Sequence, residues 1–232
     1  DTYAEVKRIL LNGSPAYMNA FSPRENFLEY WRYGNHSSTT KNPKQLTKVM
    51  NKEIMHSYVI PFPSWTTRFI PNLHITPQGL LQKPGKKDRL VFDGSHLIDF
   101  DSICVNMMTD LSKEPIIRYG TALKRHLRRI WNLRISYPHE DILLWDDDVS
   151  GAFRWPRYHP DIASAFCFIL SKTLYLPIGQ VFGGNTSAQN FEPLAWARCL
   201  LAKELYYDSS LVEKHKDIID QIQFEDDINE AT

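Results

Sequence analysis

The sequence predicts an α+β fold, in which helices and short strands occupy different stretches of the chain. The first sixty residues are polar with helical periodicity, and residues 61 to 99 are rich in prolines and turns. From residue 121 onward, helical and strand-like segments follow one another. At 232 residues, the chain is long enough for one large domain or two small ones with a buried core.

Composition limits the function classes. Lysine plus arginine equals aspartate plus glutamate at 27 each, so a polyanionic partner must meet a local basic surface. The three cysteines are far apart, without the spacing of a zinc or redox motif, which favours a reducing compartment. No apolar run of about 18 residues and no signal-peptide pattern occurs, so we expect no membrane span and an intracellular location, cytoplasmic or nuclear.

Residues 1–60 are predicted to form a helical N-terminal extension. Its clearest helix lies in "NPKQLTKVMNKEIMHSY", where Asn42 is a plausible cap and Pro43 lies in the first turn. The helical period places four apolar residues on one face: Leu46, Val49, Met50 and Ile54.

Residues 61–141 combine a predicted hairpin with a predicted basic helix. "GLLQKPGKKDRLVFDGSHL" indicates two strands joined by a Pro-Gly turn. In "TALKRHLRRIWNLR", residues 121 to 134, Leu123, Leu127 and Ile130 form one helix face, and the other face carries Lys124, Arg125, Arg128 and Arg129. Such cations bind a nucleic-acid backbone through counterion release, and an ordinary solvated helix face is the alternative.

Residues 142–232 are predicted to alternate strand and helix. The expected order is a strand at 142–148, a helix at about 160–170, a strand at 172–178 and a glycine loop. Two helices follow, at about 187–207 and 211–222.

Three consecutive aspartates end the strand predicted at 142–148. Strand alternation places Asp146 and Asp148 on one face and Asp147 on the other. Paired carboxylates suit Mg²⁺, Mn²⁺ or Ca²⁺, and an acidic strand end facing solvent is the alternative. A calcium-binding EF-hand loop is disfavoured, because its twelfth position, which requires glutamate, is Arg157.

The residues after these aspartates resemble a known family. Asp148-x-x-x-Ala152-Phe153 is similar to the first catalytic motif of reverse transcriptases. Upstream, "LLQKPGKKDRLVFDGSHL" resembles the fingers hairpin of that family, a basic turn followed by Arg-x-x-x-Asp. Downstream, "VFGGNTSAQNFE" looks like its segment FG-x-x-S-x-x-x-F before a long helix. The three matches cover roughly residues 75 to 195 and resemble reverse transcriptases of eukaryotic mobile elements more than retroviral enzymes.

The resemblance implies polymerase fingers and palm subdomains, the palm being incomplete, with fingers in 61–141 and palm in 142–232. The implied activity is extension of a DNA primer on an RNA or DNA template with deoxynucleoside triphosphates, by two-metal phosphoryl transfer using Mg²⁺ or Mn²⁺. Asp148 is the implied catalytic metal ligand, and Phe153 the residue that excludes ribose. The other implied nucleotide-binding residues are Lys83, Lys87, Arg89 and Gly183.

The family's second carboxylate pair has one candidate here, Asp226 and Asp227 in "FEDD". The polar "INEAT" that follows and the helical spacing that precedes it argue against a buried strand pair. We therefore expect the pair beyond Thr232, which would leave this chain inactive by itself. Two alternatives remain: a non-catalytic nucleic-acid-binding domain with the same fold, and an unrelated phosphotransfer enzyme that uses Asp146 and Asp148 alone.

Overall fold

The structure is a computed structural model that describes residues 2–19, 21, 23–117, 122–144 and 149–206. The α-helices of these ranges are α1 (Thr2–Asn12), α2 (Arg24–Tyr33), α3 (Ser37–Thr40), α4 (Pro43–Met55), α5 (Val105–Met108), α6 (Ala122–Ser136), α7 (Pro160–Ala163) and α8 (Ser187–Tyr206). The strands are β1 (Val59–Pro63), β2 (Gln78–Leu81), β3 (Arg89–Phe92), β4 (Phe168–Leu170) and β5 (Thr173–Pro177). The fold is mixed α+β with small antiparallel sheets.

The predicted helical character of the first sixty residues is confirmed by α1 to α4. In α4, Pro43 occupies the first turn, where its missing N–H costs no hydrogen bond. Leu46 and Met50 of the predicted apolar face are buried. This helix therefore forms where its periodicity predicts it.

A three-stranded antiparallel sheet has the order β1-β5-β4. The edge strand β1 contains Pro61 and Pro63, which an edge tolerates because one side of the strand needs no ladder hydrogen bonds. Pro177 of β5 lies opposite Val59 of β1, and Tyr175 of β5 stacks on Phe168 of β4 at a ring separation of 5.3 Å. The strand predicted at 172–178 is confirmed.

The predicted basic hairpin is confirmed by β2 and β3. They pair antiparallel with Leu80 opposite Leu90, and both side chains are buried. In β3, burial alternates, so Phe92 faces the core while Arg89 is exposed. The hairpin thus presents one face to the core and carries its charge outward.

Two predicted elements differ from the structure. The helix predicted at 160–170 is wrong beyond Ala163, because α7 ends there, a 3-10 turn covers Ser164–Phe166, and β4 follows. The aromatic and branched residues of "FCFIL" favour a buried strand. Because this run is continuously apolar, its pattern does not distinguish the period of a helix from that of a strand. The strand predicted at 142–148 is absent from residues 142–144, and residues 145–148 lie outside the described part. The helices predicted at 121–134 and about 187–207 are confirmed by α6 and α8, and the helix predicted at about 211–222 lies outside the described residues.

The chain divides into two compact units, one of Asp1–Ile116 and Gly151–Leu194, the other of Ile117–Ser150 and Ala195–Thr232. The first unit contains both sheets and two clusters of buried apolar side chains. One cluster includes Phe92 and Phe166, and the other is centred on Tyr30, Ile75 and Leu174. Among the described residues, none of the helices combines the length and apolarity needed to cross a bilayer.

Candidate nucleotide site

The hairpin tip is a cluster of exposed positive charge. Lys83, Lys87 and Arg89 are all exposed, as is Lys86. The backbone N–H of Lys86 donates to the carbonyl of Lys83 at 3.1 Å, and Gly85 has a φ of 71°, which glycine adopts without strain. The chain reverses tightly here, so these cations extend into solvent, where an anionic ligand can reach them.

The end of β3 is packed against the glycine loop at 183–184. The N–H of Phe92 donates to the carbonyl of Phe182 at 3.1 Å. Gly183 has a φ of 111°, and a side chain there would overlap the carbonyl oxygen of Phe92. This position therefore requires glycine for both backbone conformation and close approach. Two segments that the sequence analysis assigned separately to nucleotide binding are in direct contact.

Asn106, near the start of α5, links the segment after β3 to the glycine loop through hydrogen bonds, and this set of bonds is called the Asn106 clamp. Its side-chain amide donates to the carbonyl of Gly183 at 3.1 Å and to the hydroxyl of Ser95 at 2.9 Å. Its side-chain oxygen accepts from the N–H of Asn185 at 3.0 Å, and its carbonyl accepts from the Asn185 side chain at 2.9 Å. Sequence reasoning missed both asparagines, because their spacing along the chain forms no motif.

The glycine loop has one residue more than the pattern FG-x-x-S-x-x-x-F. Ser187 lies four positions after Gly183 rather than three, and Gly184 is among the residues between them. The Ser187 hydroxyl donates to the carbonyl of Val181 at 2.8 Å, so this serine closes the loop at the first turn of α8. Phe191 keeps the expected spacing from Ser187.

Phe153 lies beside the glycine loop. It belongs to a 3-10 turn, Ala152–Arg154, which follows Gly151 in the left-handed conformation. Its half-buried ring packs at 5.4 Å from the ring of Phe182 and at 6.2 Å from that of Phe191. The predicted ribose-excluding residue and the predicted glycine loop are therefore neighbours.

The next residue, Arg154, is buried and paired with a carboxylate. One guanidinium nitrogen lies 2.7 Å from Oε2 of Glu53, and another donates to the carbonyl of Gln180 at 3.3 Å. The guanidinium also lies over the ring of Phe182, 5.6 Å from its centroid. Burial lowers the pKa of Arg154 and raises the pKa of Glu53, whereas the charge of Arg154 acts to lower the Glu53 pKa. Arg154 of this ion pair thus contacts the glycine loop at Gln180 and Phe182, and the pair was not predicted from the sequence.

The predicted metal ligand is not among the described residues. Asp148, with Asp146 and Asp147, lies outside them, and so does the candidate second pair, Asp226 and Asp227. The structure accordingly leaves the Mg²⁺ or Mn²⁺ site a prediction.

The predicted nucleic-acid-binding helix face lies on α6, in the second compact unit. Lys124 and Arg128 are exposed, and Arg125 and Arg129 are half-buried. Leu127, on the predicted apolar face, is 57% exposed. Within the described residues of α6, therefore, cations and apolar side chains are both accessible.

A second group of polar side chains in the first unit was not predicted. His36, Asp93 and His96 each offer one potential metal-ligand atom, and these three atoms lie within 4.8 Å of one another. Burial lowers the pKa of His96, while Asp93 opposes that shift. The spacing Asp93-x-x-His96 was a local signal, but His36 is 57 residues from Asp93 and could not be paired with it.

Comparison with protein-family models, curated proteins and solved structures gave no match to this chain.

Proposed function

We propose that this chain carries the fingers and part of the palm of an RNA-directed DNA polymerase. The observation that carries the proposal is the contact between Gly183 and Phe92. Phe92 lies three residues after Arg89 in β3, and the ring of Phe153 packs on that of Phe182, the residue before Gly183. Phe182 joins these segments, since its carbonyl bonds β3 and its ring packs on Phe153. The described parts of three sequence motifs that resemble one family are thus in contact, although they are far apart along the chain, and this contact supports the proposal.

In this proposal, the hairpin holds the triphosphate of the incoming nucleotide. Arg89 is exposed on the outer face of β3, and its planar guanidinium suits a bidentate grip on phosphate oxygens. Lys83 and Lys87 add positive charge at the adjoining turn. These three side chains are exposed and carry the same charge, so the arrangement favours an anionic ligand.

Phe153 and Gly183 would surround the sugar and base. The half-buried Phe153 ring would exclude a ribose 2'-hydroxyl, and Gly183, packed against the carbonyl of Phe92, would hold the glycine loop beside the sugar and base. Asp148 is the proposed metal ligand. Bound Mg²⁺ or Mn²⁺ would activate the primer 3'-hydroxyl and stabilise the leaving pyrophosphate.

The template-primer duplex is the proposed partner of α6. Its exposed Lys124 and Arg128, with Arg125 and Arg129, supply cations for sequence-independent contacts to phosphates. An enzyme of this class works inside the cell, in the cytoplasm or the nucleus, where nucleoside triphosphates are abundant.

The test is primer extension by the natural full-length protein on an RNA template with Mg²⁺ or Mn²⁺. The wild type should extend a DNA primer, and Asp148→Asn should abolish extension while the melting temperature stays unchanged. Asp147→Asn, which removes the same charge at the neighbouring position, is the matched control and should keep most of the activity. Equal loss in both variants would contradict the assignment of Asp148.

The same experiment separates the alternative class. A protein that binds template-primer tightly but extends no primer with either ion would be the non-catalytic nucleic-acid-binding domain. Binding should then fall steeply with salt and depend on the α6 cations.

A further inference from the structure

His36, Asp93 and His96 form a compact His–Asp–His cluster at the base of the hairpin. His36 precedes α3, Asp93 directly follows β3, and His96 closes the turn after it, its N–H donating to the carbonyl of Asp93 at 3.1 Å. Nε2 of His36 lies 2.9 Å from Oδ2 of Asp93, and Nδ1 of His96 lies 3.8 Å from the same oxygen. Two imidazoles thus converge on one carboxylate oxygen.

These separations fit a single small ion. Bonds of about 2.0 to 2.1 Å at tetrahedral angles place ligand atoms about 3.3 Å apart. The distances of 2.9 and 3.8 Å to Oδ2 lie on either side of that value, and all three atoms are within 4.8 Å of one another. Shifts of about an ångström or less, in side chains that are partly exposed, would complete the geometry.

The backbone holds these three residues in place. The N–H of His36 donates to the carbonyl of Gln78, and the N–H of Asp93 donates to the carbonyl of Pro77, both at 3.1 Å. Both segments are therefore anchored to the same stretch of chain, at the start of β2. The buried hydroxyl of Tyr30 donates to the carbonyl of His96 at 2.5 Å and fixes the third position. A site anchored in this way costs little ordering entropy when an ion binds.

Tyr33 supplies the outer contacts expected around metal-binding histidines. Its hydroxyl lies 3.3 Å from Nδ1 of His36, the ring nitrogen that faces away from Asp93. Its ring packs on the imidazole of His96 with a centroid separation of 4.4 Å. One tyrosine therefore orients both imidazoles, and such outer partners set the tautomer of a ligand histidine.

We propose that this cluster binds one Zn²⁺ ion, which links the segment before α3 to the end of the hairpin. Two imidazoles and one carboxylate are a ligand set that zinc accepts, with water in the fourth position. Nitrogen ligands disfavour Mg²⁺ and Ca²⁺, which take oxygen, so this ligand set differs from the one proposed for the catalytic ions.

The first experiment uses the purified 232-residue chain, stripped with EDTA and dialysed. Zinc titration followed by calorimetry and elemental analysis should give one ion per chain, and saturating Zn²⁺ should raise the melting temperature by several degrees. Co²⁺ in place of Zn²⁺ should give visible d–d absorption of a low-coordinate nitrogen and oxygen site. A thiolate-to-cobalt band would instead place the ion at a cysteine and overturn the proposal.

The second experiment uses variants. His36→Gln, Asp93→Asn and His96→Gln should each weaken Zn²⁺ binding by about 100-fold or more, since removal of an outer partner alone costs about 10- to 100-fold. Tyr33→Phe keeps the packing ring, loses only the hydroxyl, and should weaken binding by about tenfold. His139→Gln, which removes an exposed histidine of the second unit, is the control and should bind as the wild type does.

Two results would refute the site: no stoichiometric Zn²⁺ binding by the wild type, or equal binding by the wild type and all four cluster variants. Should a ligand variant fail to fold, Tyr33→Phe and the cobalt spectrum of the wild type still decide the question. A loss of primer extension with intact zinc binding would count against the polymerase proposal alone, so the two inferences fail independently.

Discussion

Gly183→Ala tests the contact on which the proposed site depends. The added methyl group would overlap the carbonyl oxygen of Phe92, so the glycine loop must move away from β3. An alanine at a φ of 111° adds backbone strain of about 1 to 3 kcal/mol. Displacement of the loop also removes the hydrogen bond from Phe92 to Phe182, worth about 1 kcal/mol net. The total loss of unfolding free energy should be about 2 to 4 kcal/mol.

The matched control is Gly85→Ala at the hairpin tip. Gly85 also has a positive φ, 71°, but an added methyl group there meets no atom within 4 Å. It should cost only the left-handed strain of about 1 to 2 kcal/mol. Urea denaturation of both variants and the wild type measures the difference in unfolding free energy, which should be about 1 to 2 kcal/mol. Equal losses would refute the close packing of the glycine loop on β3.

Three further predictions concern single side chains. Arg89→Ala in the natural full-length protein should raise KM for nucleotide about 10- to 100-fold with template-primer binding nearly intact, because a charge-assisted phosphate contact is lost; equal loss of both would assign Arg89 to folding. Phe153→Val should improve the use of ribonucleotides relative to deoxynucleotides by about tenfold or more, and an unchanged ratio with a lowered melting temperature would make Phe153 a core residue. Glu114 is buried, and its Oε2 accepts a hydrogen bond from the Asn190 side chain at 2.8 Å. Burial raises the pKa of Glu114 to about 7 from 4.5, so its carboxyl holds a proton more tightly in the folded chain, and stability should fall as pH rises from about 4.5 to 7. In Glu114→Gln that part of the pH dependence should be absent from urea midpoints measured across the range; an unchanged slope would assign it to other groups.

The sequence by itself determined the elements whose signals are local. The α4 helix follows from one apolar face and Pro43 in the first turn, and the hairpin follows from two apolar runs around Pro84 and Gly85. The proposed nucleotide-binding residues Arg89, Phe153 and Gly183 were likewise predicted from short motifs, and they stay predictions. Periodicity and turn chemistry act over a few residues, so they can be read without knowing the rest of the fold.

Local signals were insufficient where one run of residues suits two structures. Residues 160–170 begin with a helix at Pro160 and end in β4, and their apolar run is compatible with either. The outcome depends on β5, because Phe168 gains its pairing partner Tyr175 only once the sheet forms.

Only the tertiary structure decided which distant segments meet. The pairing of β1 with β5, the Asn106 clamp on Gly183, the burial of Arg154 against Glu53, and the approach of His36 to Asp93 all join residues far apart in the chain. Each contact is a hydrogen bond or ion pair whose formation depends on the packing of elements between the partners. Such a contact leaves no fixed spacing in the sequence, because the number of residues between the two partners depends on the helices and strands that lie between them in the chain.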